Sequence, residues 1–389
     1  MKKLLILLVA ALCCYGAQSQ VRISPASSAI KAAGRIDKSN PDRFAFDMPG
    51  ITFEMKFKGS TSVAAILKGS RQTYFHAFIN GAPITDSAGK QKLFSSNADS
   101  TIMLASNLKK NKEYHVVLSK RTENLDNIPS EFMGFVLDSK AHPLDAASLY
   151  KTRKIEVLGN SITCAFGVES KDKDSKFSAH TENSHLSYAM ILARAFDADV
   201  QLTARSGRGV VRNYADKGKV ATQSATVTQL FERYMESVPS KPWDFSFKPD
   251  LVIVNLGSND YSTLPHPDKA VFIDTYLKLL TRIRTEYGPS IPILCVAPPR
   301  LNEDGFNAVY EMVTIQRTLY QDLNTHFVAA SRALLVLDKD FGAAMHPGGD
   351  GQKKIAQTLA PTISSVTGWT YNRTEMDDIK GSQSFYSRE

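Results

Sequence analysis

Four short segments hold side chains that together could perform nucleophilic catalysis. They contain Ser161, Gly207, Asn259 and His346. A serine hydroxyl becomes a nucleophile when a histidine removes its proton, and glycine N–H and asparagine amide groups can stabilise the oxyanion that forms. Taken singly, a serine or asparagine at such a place is more often a helix cap or a turn residue. Their combination and order along the chain favour a serine hydrolase.

The elements that must position these residues are predicted by short apolar runs in the second half of the chain. The runs cover residues 155–158, 200–202, 251–256, 291–296 and 327–330, and most of the intervening segments have the spacing of amphipathic helices. Strands that alternate with helices indicate a mostly parallel sheet in a three-layer α/β/α domain. Ligands of such sheets bind where the strands end, and three of the segments directly follow a run.

The first half of the chain shows a different pattern. Residues 51–58 alternate apolar and polar side chains without a break, and strand-like runs follow at 61–67, 74–79, 100–105, 113–120 and 131–137. Many short strands joined by short turns predict a β-sandwich of the jelly-roll type. We therefore expect a signal peptide at 1–19, a β-sandwich at 20–145, an α/β domain at 146–370, a linker near 142–153 and a polar tail at 371–389.

The N-terminus is typical of a bacterial signal peptide. Two lysines precede a short apolar run, and small residues precede a cleavage point after Ser19. We expect a secreted or periplasmic protein without a membrane span, because the run is too short to cross a bilayer. Lipid attachment at Cys13 or Cys14 is the alternative. Cleavage leaves Cys164 and Cys295, which are too few for a disulfide framework or a metal site.

The composition excludes several classes of protein. The chain has 389 residues, of which 43% are hydrophobic and 22% charged, as in folded globular proteins. The formal net charge of +8 is not concentrated in basic blocks interleaved with aromatic residues. This distribution argues against a nucleic-acid partner.

The four segments resemble the SGNH (GDSL-type) hydrolase superfamily. They read Gly159-Asn160-Ser161-Ile162-Thr163, Ser206-Gly207-Arg208-Gly209, Gly257-Ser258-Asn259-Asp260 and His346-Pro347. With the preceding β-domain, the chain resembles the second family of carbohydrate esterases, secreted two-domain O-deacetylases. The resemblance implies Ser161 as nucleophile and His346 as base. It also implies an oxyanion hole made by the N–H groups of Ser161 and Gly207 and the side chain of Asn259, with no metal or other cofactor.

The chain departs from the superfamily pattern at three places. Asn160 stands where an aspartate is usual, and Met345 where an aromatic residue is often found. The acid normally placed three residues before the histidine is missing, because that position is Ala343. A backbone carbonyl is then the first candidate to orient His346, and Asp340 or Asp338 is the second.

By resemblance, the expected activity is removal of acetyl groups from an acetylated polysaccharide of the xylan or glucomannan type. The alternatives are an SGNH esterase for another acyl group and a carbohydrate-binding protein without activity. Phe166, Tyr214, Trp243 and Tyr261 lie close in sequence to the four segments and could offer flat surfaces to sugar rings. We count Phe166, Tyr214, Tyr261 and Met345 as candidate substrate-binding residues.

Overall fold

A computed structural model describes residues 19–377, apart from residues 96, 300 and 331–334. The expected signal peptide therefore lies outside the described residues up to position 18, together with Cys13 and Cys14. Residues 378–389 of the expected polar tail lie outside them as well. Among the described residues, no helix combines the length and the apolar character needed to cross a membrane.

The N-terminal domain is a sandwich of two antiparallel sheets. Its strands are β1 (Gln20–Ile23), β2 (Ile30–Ala33), β3 (Phe44–Phe46), β4 (Thr52–Lys58), β5 (Val63–Lys68), β6 (Phe75–Ile79), β7 (Ala82–Pro83), β8 (Ser100–Ala105), β9 (Glu113–Lys120), β10 (Ser130–Asp138) and β11 (His142–Pro143). One sheet has the order β1-β10-β5-β8, with β3 beside β10. The other has the order β11-β4-β9-β6-β7, with β2 beside β4. This architecture confirms the sandwich predicted from the alternating pattern.

The alternation in β4 shows how the sequence specifies the sandwich. Phe53, Met55 and Phe57 all point into the core, whereas the residues between them are more exposed. Successive strand residues face opposite sides, so this spacing buries one face of the strand. The Phe53 ring stacks on Phe132 of the opposite sheet, with centroids 3.9 Å apart.

The C-terminal domain has a parallel sheet with helices on both faces, as predicted. Its parallel strands are β12 (Arg153–Gly159), β13 (Ala198–Ala204), β14 (Leu251–Asn255), β15 (Ile293–Ala297) and β16 (Thr325–Ala329), in the order β13-β12-β14-β15-β16. A small hairpin is formed by β17 (Phe341–Gly342) and β18 (His346–Pro347). The helices are α1 (Ser161–Cys164), α2 (Tyr188–Ala195), α3 (Val227–Leu230), α4 (Lys269–Tyr287), α5 (Glu303–Thr318), α6 (Gly349–Thr367) and α7 (Arg373–Asp377).

Two apolar clusters hold these layers together. One joins the sheet to α2 and α6, and the other joins it to α4 and α5. Every described strand of the parallel sheet runs in the same direction, so their carboxyl ends meet along one edge. The segments that follow β12, β13 and β14 contain Ser161, Gly207 and Asn259.

Two segments predicted to be irregular belong to the packed structure. In the predicted linker, β11 pairs with β4, and a 3₁₀ helix at Ala147–Leu149 buries Leu149. The first residues of the predicted tail form α7, whose Met376 is buried beside α2 and α6. In both places one or two apolar side chains reach a core, although the local sequence is mostly polar.

The two domains meet through buried charges. The guanidinium of Arg35, from the sandwich, lies 2.7 Å from the carboxylate of Glu156 on β12, and both side chains are completely buried. The Arg35 guanidinium also donates to the carbonyls of Leu230, Phe231 and Arg233. Glu156 accepts further hydrogen bonds from the side chains of Gln201, Thr203 and Tyr287. Each charge is therefore both paired and hydrogen-bonded, which a buried ion pair requires.

Candidate active site

Ser161 lies at a sharp turn between β12 and α1. Asn160 caps the helix, because its side-chain oxygen accepts the N–H of Ile162 at 3.2 Å. Its amide nitrogen donates to the Ser258 hydroxyl at 3.0 Å and so connects two of the four segments. Gly159 cannot be replaced without movement, because a Cβ there would lie 2.0 Å from the Thr163 hydroxyl. The turn thus presents Ser161 at the carboxyl end of β12.

His346 is within hydrogen-bond distance of Ser161. Its Nε2 lies 2.8 Å from the Ser161 hydroxyl, and its Nδ1 lies 3.0 Å from the carbonyl oxygen of Ala344. A carbonyl can only accept a hydrogen bond, so Nδ1 carries the proton and Nε2 is free to accept the proton of Ser161. This arrangement is that of a nucleophile and its general base.

The turn before His346 has an unusual backbone. Ala344 and Met345 both have positive φ, at 50° and 59°, a region that costs energy for residues other than glycine. Their N–H groups donate to the carbonyls of Ser175 and Lys173, both at 2.9 Å. The loop that follows the Ser161 helix therefore holds the carbonyl that faces the imidazole.

The aspartates considered as partners of His346 are engaged elsewhere. Asp340 is buried, its carboxylate lies 2.6 Å from Lys354, and it accepts the N–H of Val336. Asp338 is 83% exposed and lies 3.7 Å from Lys173. The structure brings neither to the imidazole, and the backbone carbonyl that we placed first occupies that position.

Asn259 and the loop around Gly207 are joined by hydrogen bonds. The Asn259 amide donates to the Arg208 carbonyl at 2.7 Å. The neighbouring Asp260 accepts the N–H groups of Val210, Val211 and Arg212 at 2.8 to 3.1 Å. Burial raises the pKa of Asp260 to about 6, although these hydrogen bonds oppose the rise. Sequence reasoning missed Asp260, which adjoins Asn259 in the same segment and could have been identified there.

The site opens into a cavity of about 260 Å³. It is lined by Ser161, Ile162, Tyr214, Ser258, Asn259, Tyr261, Ser262, Asn302 and His346. Its walls carry hydroxyl, amide and imidazole groups, and its volume suits a small acyl group. Among the described residues, the Gly207 N–H donates no intramolecular hydrogen bond.

The candidate substrate-binding residues occupy different surroundings. Tyr214 lines the cavity and is 59% exposed, whereas Tyr261 lines it but is almost entirely buried. The Phe166 ring packs against the His346 imidazole, with centroids 4.4 Å apart, and stacks on Phe177. Met345 precedes His346 in the strained turn.

Trp243 does not lie at the site. It is buried at the domain contact, where its ring packs against Arg35 at 4.7 Å. Its closeness in sequence to the third segment was misleading, because β14 intervenes and carries the chain across the domain.

A group of potential metal ligands lies behind the Ser161 helix. One ligand atom each from Glu123, Cys164 and Glu182 lies within 4.8 Å of the others, and all three residues are buried. Burial raises the pKa of the Cys164 thiol well above its usual range, so the thiol is protonated and a poor ligand. Glu123 already accepts hydrogen bonds from Arg205 and Ser206. These residues do not form a ready metal site.

Comparison with known proteins defines the class to which this fold and site belong. The chain belongs to the GDSL-like lipase and acylhydrolase family, whose model matches residues 157–354. Residues 32–146 match the N-terminal domain of carbohydrate esterase family 2. These two matches confirm the resemblance seen in the sequence.

The relatives include proteins named as esterases and deacetylases of carbohydrates. The chain is 33% identical over 346 residues to the cellulase/esterase CelE of Acetivibrio thermocellus, with 86% of this chain aligned, but it spans only 39% of that protein's length. It is 24% identical to an acetylxylan esterase/glucomannan deacetylase of Cellvibrio japonicus, in an alignment that covers 87% of this chain and 89% of the relative. A family 2 carbohydrate esterase from Clostridium thermocellum, solved with cellohexaose, superimposes with a TM-score of 0.75 at 31% identity. That alignment covers 87% of this chain and 99% of the solved one.

Proposed function

We propose that this protein is a secreted carbohydrate O-acetyl esterase that uses Ser161 as nucleophile and His346 as general base. The observation that carries the proposal is the hydrogen-bonded series from the Ser161 hydroxyl through His346 to the Ala344 carbonyl. A series of this kind activates a serine for attack on an ester.

The reaction proceeds in two steps. In the first, His346 Nε2 takes the proton of Ser161 as Oγ attacks the acetyl carbonyl carbon. The resulting oxyanion is stabilised by the N–H groups of Ser161 and Gly207 and by the Asn259 amide, and its collapse breaks the bond to the sugar oxygen, which receives the proton from His346. In the second, His346 Nε2 takes a proton from a water molecule as the water oxygen attacks the acetyl-serine carbonyl carbon. Collapse of this intermediate releases acetic acid, which ionises to acetate, and Ser161 Oγ takes the proton back from His346.

The cavity and the relatives support the substrate class. A cavity of about 260 Å³ accommodates an acetyl group, and the exposed ring of Tyr214 at its edge offers a surface to a sugar unit. The named activities of the Cellvibrio relative favour acetylated xylan or glucomannan as the polymer. We expect acetyl groups on primary 6-O positions to be removed faster than those on crowded secondary hydroxyls. Secretion is proposed from the signal-peptide pattern of residues 1–19.

An NMR time course on a mixture of acetylated oligosaccharides tests this function. With EDTA present, we expect acetate release with unchanged rate, because a Ser–His pair needs no metal-activated water. Aryl acetate should be cleaved much faster than aryl octanoate. Preference for octanoate would favour an esterase for longer acyl groups, inhibition by EDTA would overturn the serine mechanism, and no release from either substrate would favour a binding protein.

A further inference from the structure

The loop that contains Gly207 is anchored on both sides of that residue. On its far side, the Asp260 carboxylate holds three consecutive N–H groups from Val210 to Arg212. On its near side, the anchor comes from the other domain. Glu123, three residues beyond the end of β9, accepts the Ser206 N–H at 2.8 Å and the Arg205 guanidinium at 3.1 Å, both on Oε2.

Gly207 depends on these anchors because its own packing is sparse. A Cβ at this position would find only the Cβ of Tyr214, at 3.8 Å, and φ is +77°. The Gly207 carbonyl accepts the Tyr214 N–H, but the direction of the Gly207 N–H depends on the peptide unit that precedes it. The Ser206 N–H held by Glu123 is one peptide unit away.

The near anchor is a buried, charged arrangement. Glu123 is 1% exposed, and its partner Arg205 also lies 2.9 Å from Glu236, which in turn pairs with Arg208. Hydrogen bonds to an ionised carboxylate are about twice as strong as those between neutral groups. Arg205 and Arg208, which lie on the two sides of Gly207, are therefore held by ion pairs with largely buried carboxylates.

We propose that Glu123 is a positioning residue through which the sandwich domain aligns the Gly207 N–H with the developing oxyanion. The proposal rests on the function proposed above, in which Gly207 is an oxyanion donor. It assigns the sandwich a part in the rate of the chemical step, although none of the sandwich residues that the structure describes lines the cavity around Ser161.

The surroundings of Glu123 distinguish it from its neighbour Glu182. The Glu123 N–H donates to Glu182, and burial together with Glu123 raises the pKa of Glu182 well above its usual range. Lys120, Arg205 and Cys164 are the other titratable groups that face this pair. The two donors to Glu123 Oε2, from Arg205 and Ser206, belong to the Gly207 loop, whereas the donor to the Glu182 carboxyl is the Glu123 N–H of the sandwich. Replacing Glu182 by the neutral glutamine should then matter little.

Steady-state kinetics on an aryl acetate tests the proposal, with melting temperatures used to verify that each variant is folded. Glu123→Ala should lower kcat about 100-fold with KM within about twofold, because a transition-state contact is lost. Glu123→Gln keeps a neutral acceptor for Ser206 and should lose about tenfold, and Glu182→Gln should stay within about threefold. The matched control is Glu54→Ala, because Glu54 is another carboxylate of the sandwich close to the domain boundary. It pairs with Lys31, and Lys31 in turn contacts Asp199 of the α/β domain.

The control should keep kcat within about twofold of the unmodified protein, because Glu54 has no contact with the Gly207 loop. A Glu123→Ala enzyme with unchanged kcat, or an equal loss in Glu54→Ala, overturns the proposal. If Glu123→Ala does not fold, the kcat of Glu123→Gln decides, and a value within about twofold of the unmodified protein overturns it. Ser161→Ala is measured alongside: if it remains active the proposed function fails, and if it is inactive while both Glu123 variants are normal only this inference fails.

Discussion

The two domains place their polar groups in different ways. In the α/β domain, Ser161 and Asn259 lie beyond the carboxyl ends of parallel strands, His346 lies in the β17–β18 hairpin, and all three line the same cavity. In the sandwich, the buried charges of Arg35 and Glu123 point into the neighbouring domain. One domain exposes its polar groups to a ligand, and the other uses them to align its partner. Burial alone therefore does not distinguish a reacting side chain from one that holds the reacting parts in place.

The largest difference between the domains should appear when the reacting groups are removed. Ser161→Ala and His346→Ala should each lower kcat on aryl acetate by about 10⁴-fold or more, because nucleophile and base act as a unit. Ser148→Ala is the control and should keep kcat within about twofold, since Ser148 is an exposed serine of the 3₁₀ helix at Ala147–Leu149 and does not line the cavity. A loss of less than about tenfold in Ser161→Ala would show that the nucleophile is a different residue.

Removing a contact charge should instead reduce stability. Arg35→Met leaves Glu156 buried without its cation and should lower the free energy of unfolding by about 3–5 kcal/mol. Lys219→Met removes an exposed pair with Asp268 and should cost less than about 1 kcal/mol. Chemical denaturation of both variants measures the difference. Equal losses would mean that the domain contact does not depend on this pair.

The pH dependence of stability provides a smaller test of the contact between the two domains. His76 of the sandwich and His185 of the α/β domain lie with ring centroids 5.1 Å apart. Burial, with a contribution from Arg121, lowers the pKa of His76 to about 3, and burial also lowers the pKa of His185 well below its usual range. Both rings stay neutral in the folded protein while the unfolded chain takes up protons. Their contribution to stability is thus complete above about pH 6.5 and is lost as the pH falls toward 3.

The variant His76→Gln should reduce this dependence. Each neutral histidine adds up to about 1.4 kcal/mol per pH unit to the slope of the unfolding free energy. Urea unfolding below about pH 6 measures this slope for the variant and for the unmodified protein. Glu182 contributes to the slope with the opposite sign, because its raised pKa favours folding at low pH. This contribution is present in both proteins and cancels when the two slopes are subtracted. Identical slopes would indicate that His76 is protonated in the folded state.

The smallest effect is expected from the acid that lies near the histidine in sequence. Asp338→Ala should leave kcat within about twofold, because its exposed carboxylate faces Lys173 and not His346. Single-turnover rates of the variant measure this directly. A loss near 10⁴-fold would identify Asp338 as the third member of a triad.

The sequence predicted those parts of the molecule that depend on local pattern. The alternation in β4 and the apolar runs of the parallel strands each produced the expected element, because side-chain period determines which face is buried. The pairing of Ser161 with His346 was expected from the resemblance of the four segments to a known family. The roles of Glu123 and Arg35 could not be read in this way, since their partners are far away in the chain and belong to the other domain.

The partner of His346 shows a second limit of sequence patterns. A main-chain carbonyl has no residue identity, so no motif announces it, and the choice between it and the aspartates required coordinates. Trp243 was misplaced for a related reason, because distance along the chain is a poor guide once a strand crosses the domain.

The carbonyl of Ala344 has a consequence for how this enzyme can evolve. An acceptor on the main chain is present whatever side chain is encoded, so no single codon change deletes it as a change of aspartate to alanine deletes a triad acid. The acceptor is lost only when the backbone of the turn changes conformation. Ala344 and Met345 have positive φ angles, so substitutions at these two positions are the most able to change that conformation. Keeping the acceptor therefore requires a particular backbone path, and the side chains at Ala344 and Met345 are constrained by their positive φ angles.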